Sequence, residues 1–182
     1  LAERQRLGDL QHQQALEELI RLAGLDSIES GYQTAFRVPT AVLAEQHYTI
    51  FNPCMEGVGR KMSLLTSHVK GNEKEALYGR IQQGTIPLVI GTHAIIQEAV
   101  EFRRLGLVII DEQHKFGVVQ RGLLKKKGTN PDILVMTATP IPRTLAMTLY
   151  GDLDVSIIAA MPQGRMPVST QVFPESGRSR VY

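Results

Sequence analysis

Several ingredients are scarce in this chain of 182 residues: it has one cysteine, no tryptophan and only 5% aromatic residues. The single Cys54 can form no internal disulfide and offers no CxxC metal spacing, so a reducing, intracellular setting is expected. The longest apolar runs, such as Leu107-Val108-Ile109-Ile110, fall far short of the roughly 20 residues a membrane helix needs. Residues 1–22 are too polar to hold the apolar core of a secretory signal. Neither sign of charge dominates, because 20 Lys+Arg against 18 Asp+Glu leaves a net +2. That balance gives no basic footprint by itself, and so few aromatics make a poor base-stacking platform. Any contact with nucleic acid is therefore expected through its backbone, at local motifs.

What is present suits a packed domain: 43% hydrophobic and 21% charged residues are ordinary globular values. The length predicts one domain, or one domain with an attached fragment. The chain starts at Leu1 rather than a methionine, which fits a piece of a longer polypeptide. Residues Leu7 through Ala23 read as an amphipathic helix, with Gly24 as its expected end. Beyond it, short β-rich runs alternate with helical stretches, the pattern of an α/β fold with a parallel sheet. Strands are predicted at Gln33–Val38, Lys61–Thr66, Pro87–Ile90, Leu107–Ile110 and Ile133–Met136. Helices are predicted at Ala41–Phe51, Asn72–Gln83, Val118–Lys127 and Pro142–Tyr150. Pro162, Gly164 and Pro167 mark a linker leading out of the sheet. The expected organisation is an N-terminal helical segment (residues 1–24), a main lobe (25–160), and a linker that starts something further (161–182).

In open parallel sheets ligands bind beyond the carboxyl ends of the strands, so the residues after each apolar run carry the chemistry. Three such places stand out: Gly91-Thr92-His93, Asp111-Glu112-Gln113-His114 and Thr137-Ala138-Thr139. All are expected on one sheet edge. An Asp at the end of a buried strand is a common Mg²⁺ holder in nucleoside triphosphatases, and an adjacent Glu is placed to orient or deprotonate a water. The plainer alternative is a loop where two acids and a histidine meet solvent. His93 and His114 lack the ligand company that zinc requires. Thr137 and Thr139 also suit a helix cap. Lys125-Lys126-Lys127 and Arg103-Arg104 are basic clusters. For the triple lysine, the solvated end of a helix outweighs phosphate contact.

Taken in order, the segments Pro39-Thr40-Ala41-Val42-Leu43-Ala44-Glu45-Gln46-His47, Gly91-Thr92-His93-Ala94, Val108 through Val118 and Thr137 through Ala146 resemble the motifs of superfamily 2 helicases. The closer resemblance is to the bacterial RecG family of ATP-dependent DNA helicases, which remodel branched DNA and stalled forks. It covers about Leu25 to Tyr182. The transcription-repair coupling translocases are the nearest relatives, but typically carry Glu-Gln-Arg where Gln113-His114-Lys115 stands here.

The resemblance implies a RecA-like sheet with flanking helices, ATP and Mg²⁺ as cofactors, and DNA as partner. It also implies a cytoplasmic monomer working at the bacterial nucleoid. Asp111 would help hold Mg²⁺, Glu112 would activate the hydrolytic water, and Gln113 and His114 would relay the nucleotide state. Thr137 and Thr139 would couple hydrolysis to movement. Pro39, Thr40, Glu45, Gln46, Gly91, Thr92 and His93 would contact DNA, chiefly at phosphates.

Departures from the family pattern shape the expectation. No GxxxxGK[ST] phosphate-binding loop occurs in the sequence, so the lobe is expected to be incomplete and this chain alone a poor ATPase or none. Residues Leu25–Tyr32 look like the tail of the helix that normally follows that loop. Arg37-Val38 stands where small apolar residues usually precede Pro-Thr. Loss of a central strand is expected to leave two apolar sheet edges and marginal stability. The competing readings are a non-catalytic module that holds DNA by its backbone, and a fragment of a transcription-repair coupling translocase.

Overall fold

A computed structural model describes Glu18, residues 20–111, 123–124, 126–137, Asp154 and Ser156. By contacts the chain divides into two units. Leu19–Asp154 contains every element named below, while Leu1–Glu18 with Val155–Tyr182 contributes only Glu18 and Ser156 to the described residues.

The first described helix, α1, covers residues 20–29. It does not stop at Gly24. Ile20, Gly24 and Ile28 are buried in one i, i+4, i+8 row, so the glycine is an interior position of the helix. The stop comes at Gly31, whose φ is 80°. There the Gly31 N–H donates to the Ile28 carbonyl and the Tyr32 N–H to the Ser27 carbonyl, both at 3.0 Å. These paired bonds close a helix on a left-handed residue, a conformation glycine adopts without steric cost.

Five parallel strands follow: β1 (Gln33–Arg37), β2 (Met62–Leu65), β3 (Leu88–Gly91), β4 (Leu105–Ile110) and β5 (Asp132–Val135), in the order β2-β3-β1-β4-β5. β3 is buried along its whole length and β4 at all but Gly106, as strands covered on both faces must be. The described strands form one continuous sheet. β1 pairs with β3 on one side and β4 on the other, so only β2 and β5 are edges among the described strands.

Helix α2 (Ala41–Gly57) begins at Thr40, whose Oγ1 accepts from the Leu43 N–H at 3.3 Å. Its buried row is Ala44, His47, Phe51 and Met55. The sequence predicts an end at Phe51, before Asn52-Pro53, but the helix passes through Pro53 to Gly57. Proline forfeits one backbone bond, and the burial of Met55 beyond it outweighs that loss. Helix α3 (Gly71–Gln82) is polar except for the buried Leu77 and Ile81. A 3₁₀ turn, His93–Ile96, follows β3.

The connection after β1 leads towards β2, whereas the one after β4 leads to β5 on the other side. The change of direction lies between β1 and β4. In open parallel sheets a ligand crevice opens at such a place, beyond the carboxyl ends of the strands.

Candidate functional site

The strand register fixes which loops meet at that crevice. Arg37 is level with Gly91 of β3 and Ile110 of β4, and Ile110 with Val135 of β5. Backbone bonds carry the ladder one residue further: Val38 N–H to Gly91 O, Thr92 N–H to Leu65 O, Asp111 N–H to Arg37 O and Met136 N–H to Ile110 O, at 2.9–3.2 Å. Pro39-Thr40, Gly91-Thr92, Asp111 and Thr137 therefore lie along one sheet edge. Glu112, Gln113, His114 and Thr139 are outside the described residues.

On this edge Asp111 has two buried side chains within its reach, Arg37 of β1 and His47 of α2. His47 Nε2 is 3.9 Å from Asp111 Oδ2, within electrostatic reach though beyond hydrogen-bond length. The imidazole lies near the Phe36 ring at 4.9 Å and stacks with Phe51 at 5.9 Å between ring centroids. Its Nδ1 is buried and makes no hydrogen bond among the described residues, so Nε2 is the nitrogen turned to the carboxylate. Burial lowers the Arg37 guanidinium below the ordinary arginine value, and the charge of Asp111 opposes that shift. The carboxylate is thus held in a partly enclosed, positively biased setting.

Several of the residues singled out from sequence carry structural duties. Thr40 caps α2. Gly91 has no room for a side chain, because a Cβ there would overlap the Leu65 carbonyl. Glu45 is exposed and lies 3.8 Å from His68 Nδ1. Gln46 and His93 are exposed, and Pro39 and Thr92 are half-buried. The solvated helix end expected at Lys127 is not what forms. Its ammonium donates to the carbonyls of Gln97 and Val100 at 2.8 and 2.7 Å, tying the turn before β5 to the loop before β4.

The sequence profile of the DEAD/DEAH box helicases matches residues 13–148 of this chain. The chain belongs to the DEAD/DEAH box helicase family. Among its relatives, the ATP-dependent DNA helicase RecG of Aquifex aeolicus is 50% identical over 163 residues, covering 88% of this chain and 21% of that protein. RecG of Streptococcus pneumoniae is 53% identical over 150 residues, covering 82% and 22%. A solved structure of RecG bound to a three-way DNA junction superimposes with a TM-score of 0.72 at 46% identity, covering 88% of this chain and 21% of that one. This helicase-family chain spans about a fifth of the length of the relatives it matches.

Two neighbours of Asp111 escaped assignment from sequence. Arg37 stood out as a departure from pattern, and the structure makes it a basic neighbour of Asp111. His47 was part of a motif without a role. Its signal was periodic: it falls in the otherwise apolar buried row with Ala44, Phe51 and Met55.

Proposed function

We propose that this chain is the first motor lobe of an ATP-dependent DNA helicase of RecG type that remodels branched DNA and stalled forks in recombination and repair. Residues 25–160 form that lobe, and 161–182 lead on towards a second one. The observation that carries the reading is the common edge shared by Asp111, Thr92, Thr40 and Thr137, with the change in strand connection between β1 and β4. The similarity to RecG proteins supports the choice of substrate.

The donors at Asp111 suit Mg²⁺, which takes oxygen ligands and keeps several waters, and the carboxylate is 17% exposed at a strand end. When bound, the ion supplies charge neutralisation on the outer phosphates of ATP. The chain's own residues do the rest. Arg37 and His47 hold the Asp111 carboxylate in place, and Glu112 orients the attacking water. Gln113 and His114 relay the nucleotide state, and Thr137 and Thr139 couple it to movement. Pro39, Thr40, Glu45, Gln46, Gly91, Thr92 and His93 position the DNA backbone without reading sequence. The working protein is a cytoplasmic monomer. Because no GxxxxGK[ST] loop occurs in these 182 residues, the chain turns over ATP only when such a loop is supplied.

ATP turnover, measured with and without branched DNA, tests this on the 182-residue chain and on a longer polypeptide that supplies the loop. The chain alone should show little or none. The longer protein should show DNA-stimulated turnover that drops by about 10²–10⁴-fold in Glu112→Gln. Turnover by the short chain that vanishes in Glu112→Gln would overturn its dependence on a supplied loop. Salt-sensitive DNA binding by the longer protein without turnover would replace the motor with a binding module.

A further inference from the structure

At the opposite edge of the sheet, where the strands begin, Ile28, Gly31, Tyr32, Gln33, Arg60, Gly84, Pro87, Arg103 and Arg104 enclose an open cavity of about 320 Å³. Among the described residues its charged lining is Arg60, Arg103 and Arg104, with no carboxylate. We propose that this cavity is a phosphoryl-binding site, separate from the Asp111 edge and independent of the motor reading.

The arginines are placed by the fold. Gln33, 3% exposed, spends its whole side chain on this. Its Oε1 accepts from the N–H groups of Arg103 and Arg104 at 2.8 and 3.2 Å, and its Nε2 donates to the carbonyls of Ile81 and Ile86 at 3.0 and 2.9 Å. The backbone that bears both arginines is thereby fixed. Gly106 leaves the space in which Tyr32 lies, since a Cβ there would stand 2.7 Å from Tyr32 Cγ. The Arg104 guanidinium lies 4.5 Å from the centre of the Tyr32 ring. Arg103 packs its stem on Gly84 and donates to the Gln83 carbonyl at 3.3 Å. Arg60 follows the turn that closes α2, its N–H donating to the Met55 carbonyl at 2.8 Å.

A plainer role for these arginines is to offset the helix ends at this edge. Helices α1, α2 and α3 all finish here, and each end carries roughly half a negative charge. That offsets about half of the charge on three guanidinium groups, and the remainder faces the cavity. The acid nearest in sequence to Arg103 and Arg104, Glu101, is engaged elsewhere: its Oε2 accepts from Gln82 Nε2 at 2.6 Å, and it lies in the field of Lys127. A single carboxylate offers two oxygens and one charge, enough for one guanidinium fork. A phosphoryl group offers more acceptor oxygens and up to two charges, and so satisfies donors converging from separate loops. The source is either a free phosphorylated small molecule or a phosphate of a nucleic-acid strand.

Calorimetric titration of the chain with inorganic pyrophosphate, at constant ionic strength, tests the site. Saturable one-to-one binding is expected, weakened at least about tenfold by Arg104→Gln, as loss of a charge-assisted bond implies. Arg60→Gln should weaken it similarly, and among the described residues this exposed side chain makes no hydrogen bond, its backbone N–H alone being tied to Met55, so the variant is expected to fold. Lys126→Gln, on an exposed lysine outside the cavity, should leave binding unchanged. An oligothymidylate that displaces pyrophosphate would identify a strand backbone as the source, and failure to displace would identify a free phosphorylated ligand. The proposal is overturned by non-saturable binding, by affinity indifferent to both arginine substitutions, or by a glutamate-rich peptide that displaces pyrophosphate at matched charge.

Discussion

The two edges of the sheet use arginine in opposite ways. At the carboxyl edge Arg37 is buried and has an acid, Asp111, within its electrostatic reach, with the His47 ring 3.9 Å from the same carboxylate. At the amino edge Arg60, Arg103 and Arg104 are exposed, share a cavity and meet no carboxylate among the described residues of its wall. The first arrangement pairs a buried cation with an acid; the second has arginines and no acid in the described lining. An arginine count alone does not separate them. What does is whether the fold supplies an acid to the same loop cluster.

The carboxyl edge is also the less forgiving in backbone terms, and the largest effect is expected there. A Cβ at Gly91 would overlap the Leu65 carbonyl oxygen and lie 2.9 Å from its carbon. Both are backbone atoms of the paired strand, so no rotamer change relieves the clash. Gly91→Ala should cost at least about 3 kcal/mol, among the severe effects of overpacking. Urea unfolding measures this. A loss under 1 kcal/mol would mean that the β2–β3 pairing gives way easily, and that the contrast between the edges is one of charge only.

The amino edge relies on one buried amide instead. Gln33→Leu would keep most of the volume but leave the carbonyls of Ile81 and Ile86 and the N–H groups of Arg103 and Arg104 without their side-chain partner. The expected cost is about 1–3 kcal/mol, the range for stranding a buried polar group. Gln33→Glu sharpens the test, because it keeps an acceptor for the two N–H groups and removes the donor to the two carbonyls. If both variants unfold like the parent, Gln33 does not organise the arginine loop.

These contrasts were unevenly legible in the sequence. β3 and β4 announced themselves as short, almost wholly apolar runs. The position of Asp111 followed, because a residue directly after a buried parallel strand must fall at its carboxyl end. β1 was located too, although Gln33, Thr34 and Arg37 are polar and buried. Helix ends were harder. Gly24 and Gly31 look alike as letters, and only the backbone shows which one has a positive φ. The helix expected to end at Phe51 runs on through Pro53, and Met55 beyond it is buried. The neighbours of Asp111 were hidden for a different reason: His47 and Arg37 reach it from α2 and β1, through strand order, and no local spacing encodes that. The amino-edge cavity was hidden in the same way, since Arg60 joins Arg103 and Arg104 only once β2 and β4 take their places in one sheet.

The smallest effect separates two kinds of cation at the amino edge. Lys127 has a protein-made site: its ammonium donates to the carbonyls of Gln97 and Val100. Burial lowers its pKa below the ordinary lysine value, and Glu101 and Glu98 oppose the shift. With the folded value below the unfolded one, the unfolded chain holds more protons in the interval between them. Stability contributed by this residue therefore rises as pH climbs from the folded value towards the ordinary lysine value, and is at its lowest on the acid side of that interval. Lys127→Met removes the titration together with both hydrogen bonds, and should cost about 1 kcal/mol at neutral pH. Urea unfolding of parent and variant at neutral and mildly alkaline pH should show the gap between them widening with pH. A gap that narrows instead would mean that Glu98 and Glu101 outweigh burial. Lys127 would then be a charge matched by acids, and the amino edge would no longer be the one short of negative charge.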